Sequence, residues 1–227
     1  EEVFQSLFDE GSYHEQIIQA LAKGPKLGMT RNEILKDKGL SSGGQFSKSL
    51  AELIESGFIE KYQSTRSSRK ATRYRIFDEF CLFHLKFMAP HKGNRWTKLY
   101  TKSDYKSWSG YAFEMVCYKH IESIKRAMKC DQIESKIYSW NNKKAQIDLV
   151  IDRHDNLINL CEIKFYNSEF IIDAAYASKL RKKESQFKKA TKTRKGINTV
   201  MISTWGTKGK HGIGLVSQDI EMGSLFV

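Results

Sequence analysis

The sequence predicts a chain of mixed α/β and α+β class with two folded parts, and two patterns carry this prediction. Up to residue 76 it shows three stretches with helical spacing of apolar residues, followed by two short strand-like runs. Residues 107–204 show the order helix, strand, strand, strand, helix, strand, which predicts a mixed sheet. We therefore expect domains over 1–76 and 107–227, joined by a connecting helix and linker over 77–106.

The first part contains sequence signals for the starts and ends of three helices. A helix over residues 13–23 ends before a Gly-Pro pair. Thr30, with a glutamate three residues later, is a capping-box pattern that predicts the start of a second helix. A third helix starts at Ser41 or Ser42 and ends at Gly57. Strands over residues 58–62 and 72–76 then enclose a basic loop.

Three helices and a β-hairpin in this order predict a winged helix-turn-helix with the third helix in the recognition position. Such modules bind DNA, but they also serve as protein-docking modules or rigid spacers. The side chains expected to contact nucleic acid here are Gln45 and Lys48 on the third helix and Arg66, Arg69 and Lys70 in the loop.

An aromatic helix over residues 77–88 is typical of a segment that packs at the junction between two domains. A polar stretch with two aromatic residues follows it, and the second part is expected to begin after this stretch. A helix over 108–128 and a strand over 133–140 follow. Two further strands, a long basic helix over 173–190 and a strand over 198–203 complete the order, and the tail adds an edge strand.

The two central strands of this part, joined by a short polar turn, carry charges where a buried strand should exclude them. Asp148 interrupts the first strand, and Glu162 and Lys164 share one face of the second. Buried charges are tolerated when they are paired or bind a metal. Two carboxylates close together form a hard oxygen site suited to Mg²⁺ or Mn²⁺. The plainer alternative is a surface ion pair on an edge strand.

This pattern resembles the PD-(D/E)xK nuclease superfamily, in which an Asp on one strand is followed by Glu-x-Lys on the next and an acid lies on the preceding helix. The resemblance implies a restriction-endonuclease-like fold, catalytic roles for Glu114, Asp148, Glu162 and Lys164, and a metal held by Asp148 and Glu162. Glu114, expected at the start of its helix, would complete the metal shell or bind a second ion. Ile147 stands where the motif usually has Pro.

The charge of the chain favours a polyanionic partner, because the formal net charge is +12. One basic block lies in the loop of the first part. Another covers residues 179–195 and includes Lys182 and Lys183, which we expect to contact nucleic acid. Lysine-rich helix faces are also often merely solvated, and charge alone would suit RNA or a membrane surface as well as DNA.

Over nearly its whole length the chain is similar to the C-terminal half of a prokaryotic AAA-type ATPase family. The sequence segments at residues 74–80 and 110–114 carry this resemblance. In that family a P-loop domain precedes the winged helix, and the last domain resembles Holliday-junction and restriction nucleases. No P-loop pattern occurs here, and the chain begins Glu-Glu-Val, which suggests a piece of a longer protein.

The resemblance implies DNA and the ATPase domain of the same parent protein as partners, and we expect neither a membrane nor a small-molecule substrate. The four widely spaced cysteines show no zinc or redox pattern and favour a cytoplasmic location. The expected function is nucleic-acid binding with metal-dependent phosphodiester hydrolysis. The alternative is a catalytically silent module that binds DNA or docks a protein.

Overall fold

A computed structural model of the chain describes residues 11–25, 28–66, 69–89 and 103–226, and for residues 11–12, 63–66 and 69–71 it describes the backbone alone. The chain divides into two compact units. As far as they are described, one unit comprises Glu1–Ser64 and Arg69–Lys106, and the other Thr65–Ser68 and Ser107–Val227. The mixed α/β class predicted from the sequence is confirmed.

The first unit contains the three helices that the sequence predicts, α1 (Gly11–Lys23), α2 (Arg31–Lys38) and α3 (Gly44–Glu55). The capping box before α2 is present, because Glu33 N–H donates to Thr30 Oγ1 at 3.3 Å and Thr30 N–H donates to Glu33 Oε2 at 2.6 Å. α3 begins later than expected because its N-cap is Gly43, whose backbone is extended. Ser41 and Ser42 therefore precede the helix.

A β-hairpin follows, with β1 (Ile59–Arg66) and β2 (Arg69–Ile76) each longer than the sequence indicates. The predicted aromatic helix is divided into α4 (Glu79–Phe83), which Asp78 caps, and one π-helical segment, His84–Met88. The core of this unit is formed by apolar side chains from the helices and the hairpin, among them Ile17, Ile34, Phe46, Leu53 and Ile59.

The second unit is built on a mixed sheet of β3 (Ser135–Asn141), β4 (Gln146–Arg153), β5 (Leu157–Lys164), β7 (Gly196–Ser203) and β9 (Val216–Glu221), which lie side by side in this order. β4 pairs antiparallel with β3 and β5, whereas β7 pairs parallel with β5 and β9. The strand carrying Glu162 is therefore central, and the edge-strand alternative for this pair is wrong.

The helices described beside this sheet are α5 (Ser103–Lys119), α6 (Ile121–Ala127) and α7 (Ala174–Thr191). The single helix predicted over 108–128 is two helices, because His120 leaves the helical region with φ −106° and ψ 31°. Asp173 caps α7, accepting a hydrogen bond from Tyr176 N–H at 2.7 Å. None of the helices described is both long and apolar enough to cross a membrane.

The two faces of the sheet are covered by different helices. On one face, Leu149 and Cys161 pack with Phe113 and Ile124 of α5 and α6. On the other, central strand residues pack against Phe187 of α7, which is fully buried. The short strands β6 (Phe170–Ile171) and β8 (Thr207–Lys208) form a separate pair, and 3-10 turns occupy Lys210–Gly212 and Met222–Phe226. The predicted edge strand near the end is β9.

Candidate metal centre and nucleic-acid interface

Asp148 and Glu162 face each other across the two antiparallel central strands. β4 and β5 pair Val150 with Leu160, and continuing this register by two residues sets Asp148 against Glu162. Leu160 packs beneath Phe187 of α7, so the period-two alternation of β5 directs Glu162 to the same face. Glu162 is only 3% exposed. Both acids line one cleft together with Lys179, Lys182 and Lys183 of the long basic helix.

The ammonium of Lys164 lies where three oxygen atoms converge. Its Nζ is 2.8 Å from Glu162 Oε1 and 4.0 Å from Asp148 Oδ2, and it donates to the carbonyl oxygen of Ile163 at 3.0 Å. The N–H of Ile163 donates to Asp148 Oδ2 at 3.1 Å, which fixes that carboxylate. A single positive group can therefore reach both carboxylates and one peptide oxygen.

Helix α7 adds two partners for Glu162. The Tyr176 hydroxyl donates to Glu162 Oε1 at 2.7 Å, and the Lys183 ammonium donates to Glu162 Oε2. Tyr176 and Lys183 are seven residues apart, so they lie on the same face of the helix. Tyr176 is not among the residues predicted from the sequence, and Lys183 is predicted there only as a phosphate contact. The helical spacing behind Asp173 is the signal that could have found both.

These contacts set the protonation states of the carboxylates. Burial works to raise the pKa of Glu162, but Lys164 and Lys183 outweigh it and hold that pKa well below its usual value. Burial raises the pKa of Asp148, and the neighbouring charge of Glu162 raises it further. Burial opposes the charge of Lys164, yet Glu162 and Asp148 raise its pKa. Glu162 and Lys164 are therefore an ion pair.

The donor set fits a hard divalent cation. The Lys164 ammonium stands in for such an ion, because it is bound by the carboxylates of Asp148 and Glu162 and by the carbonyl of Ile163, all of them hard oxygen ligands. Within the described residues no group of three or more His, Cys, Asp and Glu side chains could hold a metal. Any ion here would therefore rely on two carboxylates, a peptide oxygen and water, a sparse protein shell that Mg²⁺ accepts.

The carboxylates open into a cleft of about 440 Å³ whose lining is strongly basic. Lys182, predicted to contact nucleic acid, lies exposed on α7 at this cleft. The side chains that line it are Lys144, Ala145, Gln146, Asp148, Glu162, Lys164, Lys179, Lys182 and Lys183. Because lysines outnumber carboxylates, the cleft suits an anion with a cation beneath it.

A buried hydroxyl lies next to this centre. Ser203 pairs with Lys164 across β5 and β7 and is 1% exposed. Its Oγ has no hydrogen-bond partner among the residues that the structure describes. A buried hydroxyl without a partner costs free energy, so this one has capacity for a ligand oxygen or water. No sequence signal points to it, because Ser is ordinary at a strand end.

Glu114 lies in the C-terminal half of α5, half-buried, and not at the helix start as expected. The helix begins at Ser103, with Asp104 in its first turn, where an acidic side chain offsets the helix dipole. Glu114 is near enough to favour the charged form of Lys164 and raise its pKa. Glu114 is not among the side chains that line the cleft in the described part of the structure.

The predicted contacts of the first unit are only partly described. Gln45 is half-buried on α3, and Lys48 is exposed, 3.8 Å from Glu52 Oε1. Ser49, on the same helix, is buried. The side chains of Arg66, Arg69 and Lys70 lie outside the described part of the structure.

In a comparison with known protein families, one family model matches part of this chain. Residues 83–188 match the family model DUF234, described as archaeal and bacterial proteins of unknown function. The matched segment includes Asp148, Glu162, Lys164 and Lys183. No curated protein and no solved structure matches the chain.

Proposed function

We propose that the second unit is a restriction-endonuclease-like domain that hydrolyses phosphodiester bonds of nucleic acid with Mg²⁺ or Mn²⁺. One observation carries the proposal, which is the meeting of Asp148, Glu162 and the Ile163 carbonyl around the ammonium of Lys164. The order of its helices and strands supports the same assignment, as does a cleft lined by further lysines.

The chain's own residues supply most of the chemistry. When bound by Asp148 and Glu162, the metal would polarise the phosphate and offset its growing negative charge. Lys164 then orients the attacking water or places its positive charge against the phosphate, since its ammonium stays protonated beside Glu162 and Asp148. Tyr176 and Lys183 hold the carboxylate of Glu162 in position. Glu114 contributes negative potential to Lys164, and it remains our candidate for a second metal ligand.

A plasmid-nicking assay tests the proposal directly. We expect the purified chain to nick supercoiled DNA with Mg²⁺ or Mn²⁺ and not in EDTA. Ca²⁺ should support binding without turnover, because it takes more ligands in a looser geometry than Mg²⁺. Nicking that persists in EDTA would contradict a metal-dependent mechanism.

The first unit is proposed to be a winged helix-turn-helix that contacts DNA, and the whole chain to be the C-terminal part of a cytoplasmic AAA-type ATPase. Three helices followed by a hairpin support the first proposal. The exposed Lys48 and the half-buried Gln45 of α3 would face the DNA, and the hairpin tip would add contacts from Arg66, Arg69 and Lys70. The sequence phrases at 74–80 and 110–114 support the second proposal.

Binding through the hairpin tip should depend strongly on salt. Replacing Arg66, Arg69 and Lys70 together by Ala should make the log–log salt slope of DNA binding less steep, by about 0.9 for each phosphate that the tip no longer neutralises. Fluorescence anisotropy titrations at several salt concentrations, with Lys136→Ala on β3 as control, measure the slope. An unchanged slope in the triple variant would exclude the tip from the interface.

A second function is favoured by the fact that the hydrogen-bonding capacity of the Glu162 carboxylate is already used within the chain. Both of its carboxylate oxygens already have partners within the chain, from Lys164, Lys183 and Tyr176. A site closed in this way also suits a catalytically silent platform that binds DNA or docks the ATPase domain. Salt-dependent DNA binding in EDTA without any Mg²⁺-dependent nicking would favour the DNA platform, and absence of both would favour the docking module.

A further inference from the structure

Two large aromatic side chains are exposed just beyond the ends of adjacent parallel strands. Tyr166 lies two residues after β5, and Trp205 lies two residues after β7. Tyr166 is 53% exposed and Trp205 is 56% exposed. Exposed aromatic side chains offer faces on which nucleic-acid bases can stack. We refer to Tyr166 and Trp205 as the aromatic rim.

The rim is tied to the candidate metal centre through the backbone. Thr204 N–H donates to the carbonyl oxygen of Lys164 at 3.3 Å. The Thr204 hydroxyl accepts from Tyr166 N–H at 2.9 Å and donates to the Tyr166 carbonyl. Because Trp205 follows Thr204 directly, these bonds hold both rim residues beside Lys164.

The Tyr166 ring is also supported from the side of the carboxylates. It meets the Phe170 ring edge-on at 5.2 Å, and Phe170 meets Tyr176 at 4.7 Å. Tyr176 in turn donates to Glu162. A series of aromatic contacts therefore leads from the buried carboxylate to an exposed ring, which fixes that ring in place before any ligand binds and so reduces the entropy lost on binding.

Charge identifies what this surface fits. Lys179 and Lys182 lie at the neighbouring cleft, and Lys179 Nζ is 5.5 Å from the centre of the Tyr176 ring. A basic groove with exposed aromatic rings near it is an arrangement that binds single strands, since the phosphates contact the lysines and the bases stack on the rings. A duplex keeps its bases stacked on one another and offers the rings much less.

We propose that Tyr166 and Trp205 stack on unpaired bases of single-stranded nucleic acid whose phosphates lie along the cleft lysines. This inference rests on the proposed function, because it names the form of nucleic acid that the same cleft accepts.

The test measures binding of the full chain in EDTA to labelled single-stranded DNA, single-stranded RNA and duplex DNA of equal length. Tyr166→Ala and Trp205→Ala should each weaken binding to a single strand by about 5- to 100-fold, from the usual value of one base–aromatic stack. Duplex affinity should stay unchanged. Phe226→Ala is the matched control, since Phe226 is also an exposed aromatic residue of this unit and packs on His120.

Conservative variants separate stacking from folding. Tyr166→Phe and Trp205→Phe should keep single-strand binding, and Trp205→Phe should also lose most of the tryptophan quenching that the single strand causes. Selective weakening with either single-stranded probe supports the inference. Equal weakening for single strands and duplex, or no change in either Ala variant, would overturn it, as would failure of the wild-type chain to bind single strands.

The same experiment distinguishes the inference from the proposed function. Selective weakening of single-strand binding in the Ala variants, together with a wild type that never cuts in Mg²⁺, would leave the rim standing and remove the nuclease proposal. If the wild type cuts DNA in Mg²⁺ but its affinity for single strands does not depend on the aromatic rim, the nuclease proposal stands and the inference about the rim is wrong.

Discussion

Replacing Glu162 by Gln is expected to abolish Mg²⁺-dependent nicking while largely preserving nucleic-acid binding. Gln keeps the volume of the side chain but removes its charge from the metal shell. Losing the several kcal/mol of charge stabilisation that a metal supplies corresponds to a rate loss of about 10³ or more. Binding should survive because its phosphate contacts come from other lysines. Nicking is measured under single-turnover conditions and binding by anisotropy in Ca²⁺.

The Glu162→Gln variant must be compared with controls because Glu162 also offsets buried charge. Its loss leaves Lys164 and Lys183 without their carboxylate, which is expected to lower the free energy of unfolding by about 3 kcal/mol or more. Asp148→Asn avoids this difficulty, because Asn can still accept the hydrogen bond from Ile163 N–H. It should be folded, as judged by thermal unfolding, and equally inactive.

Glu169→Gln is the matched control for charge, since Glu169 is half-exposed and pairs with Lys208 in the same unit. It should nick like the wild type. If Glu162→Gln and Asp148→Asn preparations nick as fast as the wild type, the activity belongs to a contaminant and the assignment of these residues is wrong.

Replacing Lys164 by Ala is expected to slow hydrolysis by a factor of roughly 10² to 10⁴, the range for one acid–base group. The same change should preserve or strengthen Mn²⁺ binding, because the ammonium no longer competes for the oxygens of Asp148, Glu162 and Ile163. A purely structural role would not produce this opposite pair of effects. Single-turnover rates and a direct Mn²⁺ titration measure them.

Lys182→Ala is the matched control for Lys164→Ala, since it removes a lysine from the same cleft without touching the carboxylates. It should weaken nucleic-acid binding modestly, because one phosphate is no longer neutralised, and leave Mn²⁺ affinity unchanged. Weaker Mn²⁺ binding in Lys164→Ala would show that Lys164 assists the metal site instead of occupying it, which contradicts the role proposed for its ammonium.

The elements of the second unit could be predicted because its patterns are local. Alternation over residues 145–164 located both central strands, and the charges of Asp148, Glu162 and Lys164 within apolar runs marked the centre. The partners of Glu162 on α7 could not be predicted in the same way. Tyr176 and Lys183 reach it only because the helix crosses that particular face of the sheet, which depends on tertiary packing.

Errors in the first unit and in α5 have local causes. Gly43 delays the start of α3, so that Ser41 and Ser42 precede the helix. No proline or glycine marks the break at His120 in the sequence. The amphipathic pattern over 108–128 therefore predicts one helix, whereas the structure has two. Glu114 lies further along its helix than the sequence predicts, because α5 extends further towards the N-terminus than its apolar pattern.

The saturation of Glu162 has a consequence for how this centre would change during evolution. A relative that lost Glu162 alone would retain two partly buried ammonium groups, from Lys164 and Lys183, with only the more distant Asp148 beside Lys164. The folding requirement therefore selects for Glu162 as strongly as any chemistry does. In a lineage that abandons catalysis, the first substitutions should appear at Asp148 and at the exposed cleft lysines, while the Glu-x-Lys sequence persists as a structural remnant.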